Sequence, residues 1–244
     1  MAFVLIVAVC SIFIGLSKGG LGAALVMLAT PLLSLVMPVT DAISIVLPML
    51  LIADVFGIWA FWNTWDMAII RLLLPFTVIG IIVGTYLLAT LPDQTLRHIL
   101  GVFTLGFVAY RLLSARLGSR SYTHHNWHGH LAGAASGLGS ALANVGAPPF
   151  TVYMLLQNRT PRVFVGTTTL YFAIVNLLKL PGLVVAGLFD LRDLETVVWA
   201  LPLIPAGVWL GRWVIVRMNQ TAFDRFMLLV LAVAGVFLLV LPAG

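Results

Sequence analysis

Long runs of apolar residues follow one another along almost the whole chain and are separated by short polar stretches. A run of about 18 or more apolar residues is long enough to cross a hydrocarbon layer of roughly 30 Å as a helix. Eight such segments are predicted, four on each side of the one long polar stretch at residues 114–130. The pattern therefore indicates an all-α polytopic membrane protein with two halves joined by a linker at residues 116–127.

Six of the eight segments have a continuous apolar pattern and are predicted to be simple crossings. They lie at residues 42–62, 67–89, 95–113, 163–188, 196–216 and 222–241. The other two, at residues 17–33 and 131–157, contain glycines and prolines that a regular helix avoids. In hydrocarbon an unpaired backbone group is so costly that a broken segment is tolerated only where protein or a water-filled cavity satisfies it. The breaks are therefore candidate binding sites.

The two broken segments resemble each other, which indicates an internal repeat. With an offset of 117 residues, six of twelve compared positions are identical, and later matches keep the same order. The matching pairs include Gly20 with Gly137, Gly22 with Gly139, Pro31 with Pro148, Asp54 with Asn176, Gly80 with Gly207 and Gly84 with Gly211. We therefore predict two homologous repeats, residues 1–115 and 128–244, each opening with a broken segment.

Composition excludes an ordinary soluble domain. Of the 244 residues 61% are hydrophobic and 9% are charged, and the mean hydropathy is +1.12, whereas soluble domains carry about 25% charged residues. The net charge of +5 does not indicate nucleic-acid binding, because the arginines lie at segment ends, as the positive-inside rule explains. The single Cys10 excludes an internal disulfide and a thiolate metal cluster.

The distribution of arginines favours hairpins over spans for the two broken segments. If all eight segments cross, five arginines lie on one face of the membrane and six on the other, which decides nothing. If both broken segments enter and leave on the same side, nine lie on one face and only Arg97 and Arg192 on the other. We therefore predict six crossings and two re-entrant hairpins, which makes the halves inverted repeats with both termini outside.

Four polar side chains interrupt the apolar segments: Lys18, Asp54, Asn176 and Lys179. A charge at the bilayer centre costs about 2.5 to 3.5 kcal/mol, so each charged member is expected to face a partner or a cavity. One interpretation pairs Lys18 with Asp54 as a buried ion bridge and lets Lys179 extend to the surface. The other makes Lys18 and Lys179 an anion clamp, in which Asp54 is a counter-ion or a proton carrier.

The broken segments add candidates at their glycine-rich helix ends, where free N–H groups favour negative charge. Asn144 lies at the predicted hairpin turn and either caps the broken helix or contacts the ligand. The hydroxyls of Ser136 and Ser140 either contact a ligand or bond back to their own helix. The remaining candidates for substrate binding are Gly20, Gly22, Gly139, Gly146 and Pro148.

Motifs of several other function classes are absent from the sequence. There is no GxxxxGK[ST] phosphate loop, so no ATPase is expected, and there is no HExxH motif, so catalysis is not expected either. The stretch HHNWHGH has a spacing that fits a metal, but it lacks a nearby carboxylate and is loosened by glycine. We interpret it as a solvated loop and expect neither a metal site nor a cofactor.

Three stretches, GLSKGGLGAALVMLATPLL, SGLGSALANVGAPPFTVYML and RVFVGTTTLYFAIVNLLKLPGLVVAGLFD, occur in this order along the chain. Together they resemble the sulfite exporter TauE/SafE family of membrane transporters. The positions that match the family's motifs are Gly19, Gly20, Gly22, Pro31, Gly137, Gly139, Asn144, Gly146, Pro148, Pro149, Gly166, Thr167, Asn176 and Lys179. A GGG run of the family appears here as SKGGLG, so Lys18 departs from the pattern and leaves the substrate open.

The resemblance implies a secondary transporter that moves a small sulfur-containing anion, such as sulfite or an organosulfonate, across the cell inner membrane. The expected partners are this anion and the lipid bilayer, with protons as a candidate coupling ion and no nucleic acid. The alternative is a channel-like facilitator, because two half-helix hairpins that meet at the midplane also build aquaporin-type pores. The buried charges favour the transporter, since a pore for water or a neutral solute needs none.

Overall fold

The computed structural model describes residues 2–21, 25–114, 125–155, 157, 159–189, 195, 197–215, 229, 232–233, 236 and 239–240. Within these residues the regular elements are helices, and none is a strand. In chain order they are α1 (Ala2–Leu16), a π-helical turn (Ser17–Leu21), α2 (Val26–Leu33), α3 (Val39–Ala60), α4 (Met67–Thr90), α5 (Asp93–Ser114), α6 (Asn126–Ala143), α7 (Ala147–Leu155), α8 (Pro161–Val185), a 3₁₀ turn (Val198–Ala200) and α9 (Leu203–Ile215). The predicted all-α class is confirmed.

Three of the described helices, α3, α4 and α8, are long and apolar enough to cross a membrane. Two shorter apolar helices run from Phe3 to Gly19 and from Val198 to Gly211. The helices α3, α4, α5 and α8 begin and end within three residues of their predicted bounds. Most of the predicted crossing at residues 222–241 lies outside the described residues.

Helix α3 lies at the centre of the molecule. Of its most apolar 18-residue stretch 67% is buried, against 39% for α4 and for α8. It packs against α8 of the second half and against α2 and α5 of its own half. The N–H of Val39 at its start donates to the Asp93 carboxylate at 2.7 Å, which satisfies one of the unpaired donors of the first turn.

The two halves exchange their first helices. Helix α1 packs most extensively on α9, and α6 packs most extensively on α4. Glycines permit both approaches: the backbone around Gly207 lies directly against Gly15, and the backbone of Thr77 lies directly against Gly137. Small residues are the usual means by which apolar helices come into close contact in lipid.

At each break the two helices on either side of it pack against each other. A Cβ at Gly146 would lie 2.9 Å from the Cβ of Ser140, and one at Gly129 would lie 3.1 Å from the ring of Tyr153. Helix α7 therefore runs back along α6 towards its start. In the first half α2 likewise packs on α1, where the Cys10 thiol contacts the Ala29 carbonyl at 3.7 Å.

The two arms of the second hairpin have unequal lengths. Helix α6 has 18 residues and α7 has nine, so α6 is about 27 Å long. Helix α6 begins at Asn126, within the stretch that the sequence predicts as a solvated loop. Aromatic packing explains the difference, because the ring of His130 stacks on that of Phe76 with centroids 4.3 Å apart, and Trp127 lies against His128. His124 lies outside the described residues.

Candidate functional site

A buried carboxylate joins the two halves beside the π-helical turn that interrupts the first apolar segment. Lys18, in the π-helical turn, forms an ion pair with Asp54 Oδ1, and the two side chains are 9% and 3% exposed. The amide Nδ2 of Asn176 donates to Asp54 Oδ2 at 2.7 Å. The positions that the repeat pairs with each other, Asp54 and Asn176, are thus in direct contact.

Gly57 leaves room for the Thr169 side chain of α8 and lies beside Lys18. A Cβ at this position would lie 2.8 Å from Thr169 Cγ2 and 3.6 Å from Lys18 Cδ. The offset of 122 residues that relates Asp54 to Asn176 also relates Gly57 to Lys179. Each half contributes one buried lysine: Lys18 comes from the π-helical turn of the first half, and Lys179 comes from α8 of the second half. The sequence analysis does not name Gly57 as a site residue, although the same offset relates it to the candidate Lys179.

Lys179 forms the second part of the site. Its ammonium donates to Asn144 Oδ1 at 2.5 Å and to the Ser140 carbonyl at 3.2 Å, and the residue is 1% exposed. The prediction that Lys179 extends to the surface is wrong, because the last turn of α6 offers it acceptors in the interior. A lysine is a favourable partner for carbonyls at a helix C-terminus.

Asn144 connects the two broken segments. It ends α6 in the left-handed conformation with φ of 56°, which asparagine adopts more readily than most residues. Its backbone N–H bonds back to the Ser140 carbonyl at 3.1 Å. Its side-chain amide is free to act elsewhere: Oδ1 accepts from Lys179, and Nδ2 donates to Thr30 Oγ1 of α2 at 3.0 Å.

The remaining predicted residues of this hairpin build its turn. A Cβ at Gly139 would lie 2.7 Å from the Val145 carbonyl, so the turn requires glycine there. The Ser136 hydroxyl donates to the Gly146 carbonyl at 2.7 Å, which ties the end of the turn to α6. Pro148 lies in the first turn of α7, where a missing N–H leaves no bond unmade.

The corresponding glycines of the first break are described only in part. Gly20 lies in the π-helical turn two residues after Lys18. Gly22 lies outside the described residues.

The polar network defined by Lys18, Asp54, Asn176, Lys179, Asn144 and Thr30 is closed to solvent. Its members are buried or nearly so, with side-chain or residue exposures of 9% or less. Asn176 and Lys179 lie one turn apart on α8, which joins the two parts of the network on one helix face. The arrangement therefore places two ammonium groups, one carboxylate and two amides within the membrane-spanning part of the fold.

An open pocket of about 550 Å³ lies away from this network, at the turn between α3 and α4. Its lining residues are Trp62, Asn63, Thr64, Trp65, Thr160, Arg162 and Val163. Beside it Arg159 pairs with Asp66 at 2.9 Å, and the Asp66 N–H donates to Thr167 Oγ1 at 2.8 Å. These contacts join the start of α4 to Arg159, between α7 and α8, and to Thr167 of α8.

Comparison with known proteins gives one match. A family model described as sulfite exporter TauE/SafE matches residues 7–238 and thus includes every member of the polar network. No curated protein and no solved structure matches the chain.

Proposed function

Because the chain belongs to the sulfite exporter TauE/SafE family, we propose that it is a multi-pass secondary transporter that moves a small sulfur-containing anion across the inner membrane. Membership in a transporter family implies a small anionic substrate and a lipid bilayer as partners. The observation that carries the proposed site is Lys179, a fully buried ammonium whose recorded partners in the described part of the chain are both uncharged.

An unbalanced ammonium at membrane depth favours binding of an anion. Moving a charge into hydrocarbon costs about 2.5 to 3.5 kcal/mol even on a lenient scale, and a bound anion offsets that cost. Asn144 holds Lys179 at the end of α6, and the N-terminus of α7 begins three residues later. Of the first four residues of α7, Ala147 and Phe150 carry a backbone N–H that attracts negative charge, whereas Pro148 and Pro149 carry none. We assign substrate binding to Lys179, Asn144 and the hairpin turn around them.

The proposed architecture is an inverted repeat, which suits transport by alternating access. Helix α1 packs on α9 and α6 packs on α4, so the first helix of each half rests on the other half. Two re-entrant hairpins that meet at a closed polar network suit a site that opens to one side of the membrane at a time. The closed network supports a transporter over an open pore, which requires a continuous water path.

Asp54 is the proposed coupling residue. It forms an ion pair with Lys18 of the π-helical turn and accepts a hydrogen bond from Asn176 of α8. Protonation of its carboxylate removes the charge that holds Lys18, which loosens the contact between the break and the central helices. A proton taken up on one side and released on the other thus couples the pH gradient to the opening of the site.

Transport in proteoliposomes tests the proposal. We expect saturable uptake of radiolabelled sulfite, with counterflow when unlabelled sulfite is inside. Lys179→Met is expected to lose both, whereas Arg71→Met, which removes an exposed cation from α4, is expected to keep both. Conductance without saturation or counterflow identifies a channel instead, and the absence of any sulfite flux contradicts transport of this anion.

A further inference from the structure

We propose that the polar network selects its ligand by charge and takes a singly charged oxyanion, such as a sulfonate or hydrogensulfite, in preference to a doubly charged one, such as thiosulfate or sulfate. This inference rests on the proposed function, because it concerns the charge of the anion that Lys179 binds.

The charges of the network are few and can be counted. Lys18 and Lys179 are ammonium groups and Asp54 is a carboxylate, so the network carries a formal charge of +1. The hydrogen-bonding neighbours, Asn144 among them, are neutral.

Because the network is buried, its net charge of +1 determines which ligand charge is favourable. In a low-dielectric interior the interaction between charges is strong, and a charge left without compensation is unfavourable. A monoanion makes the network neutral. A dianion leaves it with a charge of −1 unless Asp54 takes up a proton.

The hydrogen bonds of the two lysines agree with this charge count, because Lys18 is paired with Asp54 and Lys179 contacts neutral acceptors. An ammonium has three N–H donors, and those of Lys179 have two recorded acceptors among the described residues, Asn144 Oδ1 and the Ser140 carbonyl. The third donor is available to an oxyanion. Lys18 cannot balance a second negative charge of the ligand while Asp54 remains charged, because the two are paired with each other.

Two substitutions change the sum in a defined way. Asp54→Asn keeps the shape and a hydrogen-bonding oxygen but raises the charge of the network to +2, so it is expected to favour a dianion. The double variant Lys18→Met/Asp54→Asn removes the whole ion pair and restores +1, so it is expected to favour a monoanion again. Asp41→Asn is the matched control, because Asp41 is exposed in the first turn of the same helix.

The test is a calorimetric titration of the purified full-length protein with methanesulfonate and with thiosulfate. The two probes have similar shapes, and near neutral pH they carry one and two negative charges. We expect the wild type and Asp41→Asn to bind methanesulfonate about tenfold or more tightly than thiosulfate. Asp54→Asn is expected to reverse the order, and the double variant to restore it.

The outcomes separate this inference from the proposed function. If the wild type binds thiosulfate as tightly as methanesulfonate, or if Asp54→Asn keeps the wild-type order, charge selection is wrong while an anion site remains. If the wild type binds neither probe nor sulfite, the proposed function fails as well. Should Asp54→Asn not fold, Lys18→Met gives a second test: it makes the network neutral and is expected to weaken methanesulfonate binding about tenfold or more.

Discussion

At the scale of single residues, Lys179 has surroundings that limit its roles to two, an anion ligand or a cap of α6. Lys179→Met keeps most of the apolar stem and deletes the charge. A hydrogen bond to a charged group contributes about 1.5 to 3 kcal/mol, so sulfite binding is expected to weaken about tenfold or more. Titration of the purified variant with sulfite measures this change, and Arg71→Met is the control for loss of an exposed cation.

If Lys179 only caps the C-terminus of α6, a different result is expected for Lys179→Met. If the carbonyl of Ser140 and the amide of Asn144 are the only groups that Lys179 serves, sulfite affinity stays unchanged and the melting temperature falls. That combination assigns Lys179 a structural role and contradicts the proposed site.

Asp54 has a prediction of its own, concerned with coupling. Asp54→Asn preserves the shape and keeps one of the two acceptor oxygens that face Lys18 and Asn176, but it cannot titrate. At saturating sulfite in proteoliposomes, the variant is expected to lose uptake driven by a pH gradient while counterflow continues. Full pH-driven uptake removes Asp54 from the coupling mechanism. Loss of folding assigns Asp54 to a structural bridge, because breaking one partner of a buried pair costs about 3 to 5 kcal/mol.

The sequence identifies which residues are polar in an apolar setting but not which of them meet. One of the two interpretations of the sequence pairs Lys18 with Asp54, and the structure contains this ion pair. The contact of Lys179 with Asn144 spans 35 positions and exists only because α8 packs beside the end of α6. Such a contact depends on tertiary packing, so neither periodicity nor spacing reveals it.

At the scale of elements, the glycine contacts between helices set how closely the halves approach. Gly137→Ala puts a Cβ against the backbone of Thr77, where no flexible side chain can move aside. Overpacking of this kind typically costs about 1 to 3 kcal/mol, so the melting temperature in detergent is expected to fall. Gly106→Ala on α5 is the matched control, since nothing lies within 4 Å of its Cβ.

The second interface offers an independent check of the same idea. Gly15→Ala directs a Cβ at the backbone of Ile204 and is expected to lower the melting temperature in the same way. If Gly137→Ala and Gly15→Ala are both as stable as Gly106→Ala, close glycine contact does not determine the packing of these helices.

Breaks in the helices are easier to predict than the lengths of the arms. The glycines and prolines around Asn144 mark where α6 ends and α7 begins, because proline removes a backbone donor and glycine disfavours the interior of a helix. The start of α6 at Asn126 is not visible in the polar stretch that precedes it. It depends on stacking of His130 on Phe76, which belongs to another helix.

At the scale of the whole molecule, the repeat is visible in the sequence but the pairing of helices is not. The shared offset relates Gly80 to Gly207, yet it does not say that their helices pack on α6 and α1 of the opposite half. That exchange is a property of the folded chain. It explains why the glycines of α4 and α9 occur in matching positions: Gly80 and Gly84 lie against α6, and Gly207 and Gly211 lie against α1 and the π-helical turn.

The orientation of the second hairpin in the membrane gives the last prediction. Tyr153 near the end of α7 lies beside Gly129 near the start of α6, so both ends of the hairpin lie at the same end of the molecule. Cysteines placed at His125 and Arg162 are therefore expected to be shielded together from an impermeant thiol reagent added outside intact cells. Asp41→Cys, on the face poor in arginine, is expected to react, and native Cys10 does not interfere because it is fully buried. Reaction at only one of the two positions contradicts re-entry and makes the broken segment a span, which leaves the arginines evenly divided between the faces.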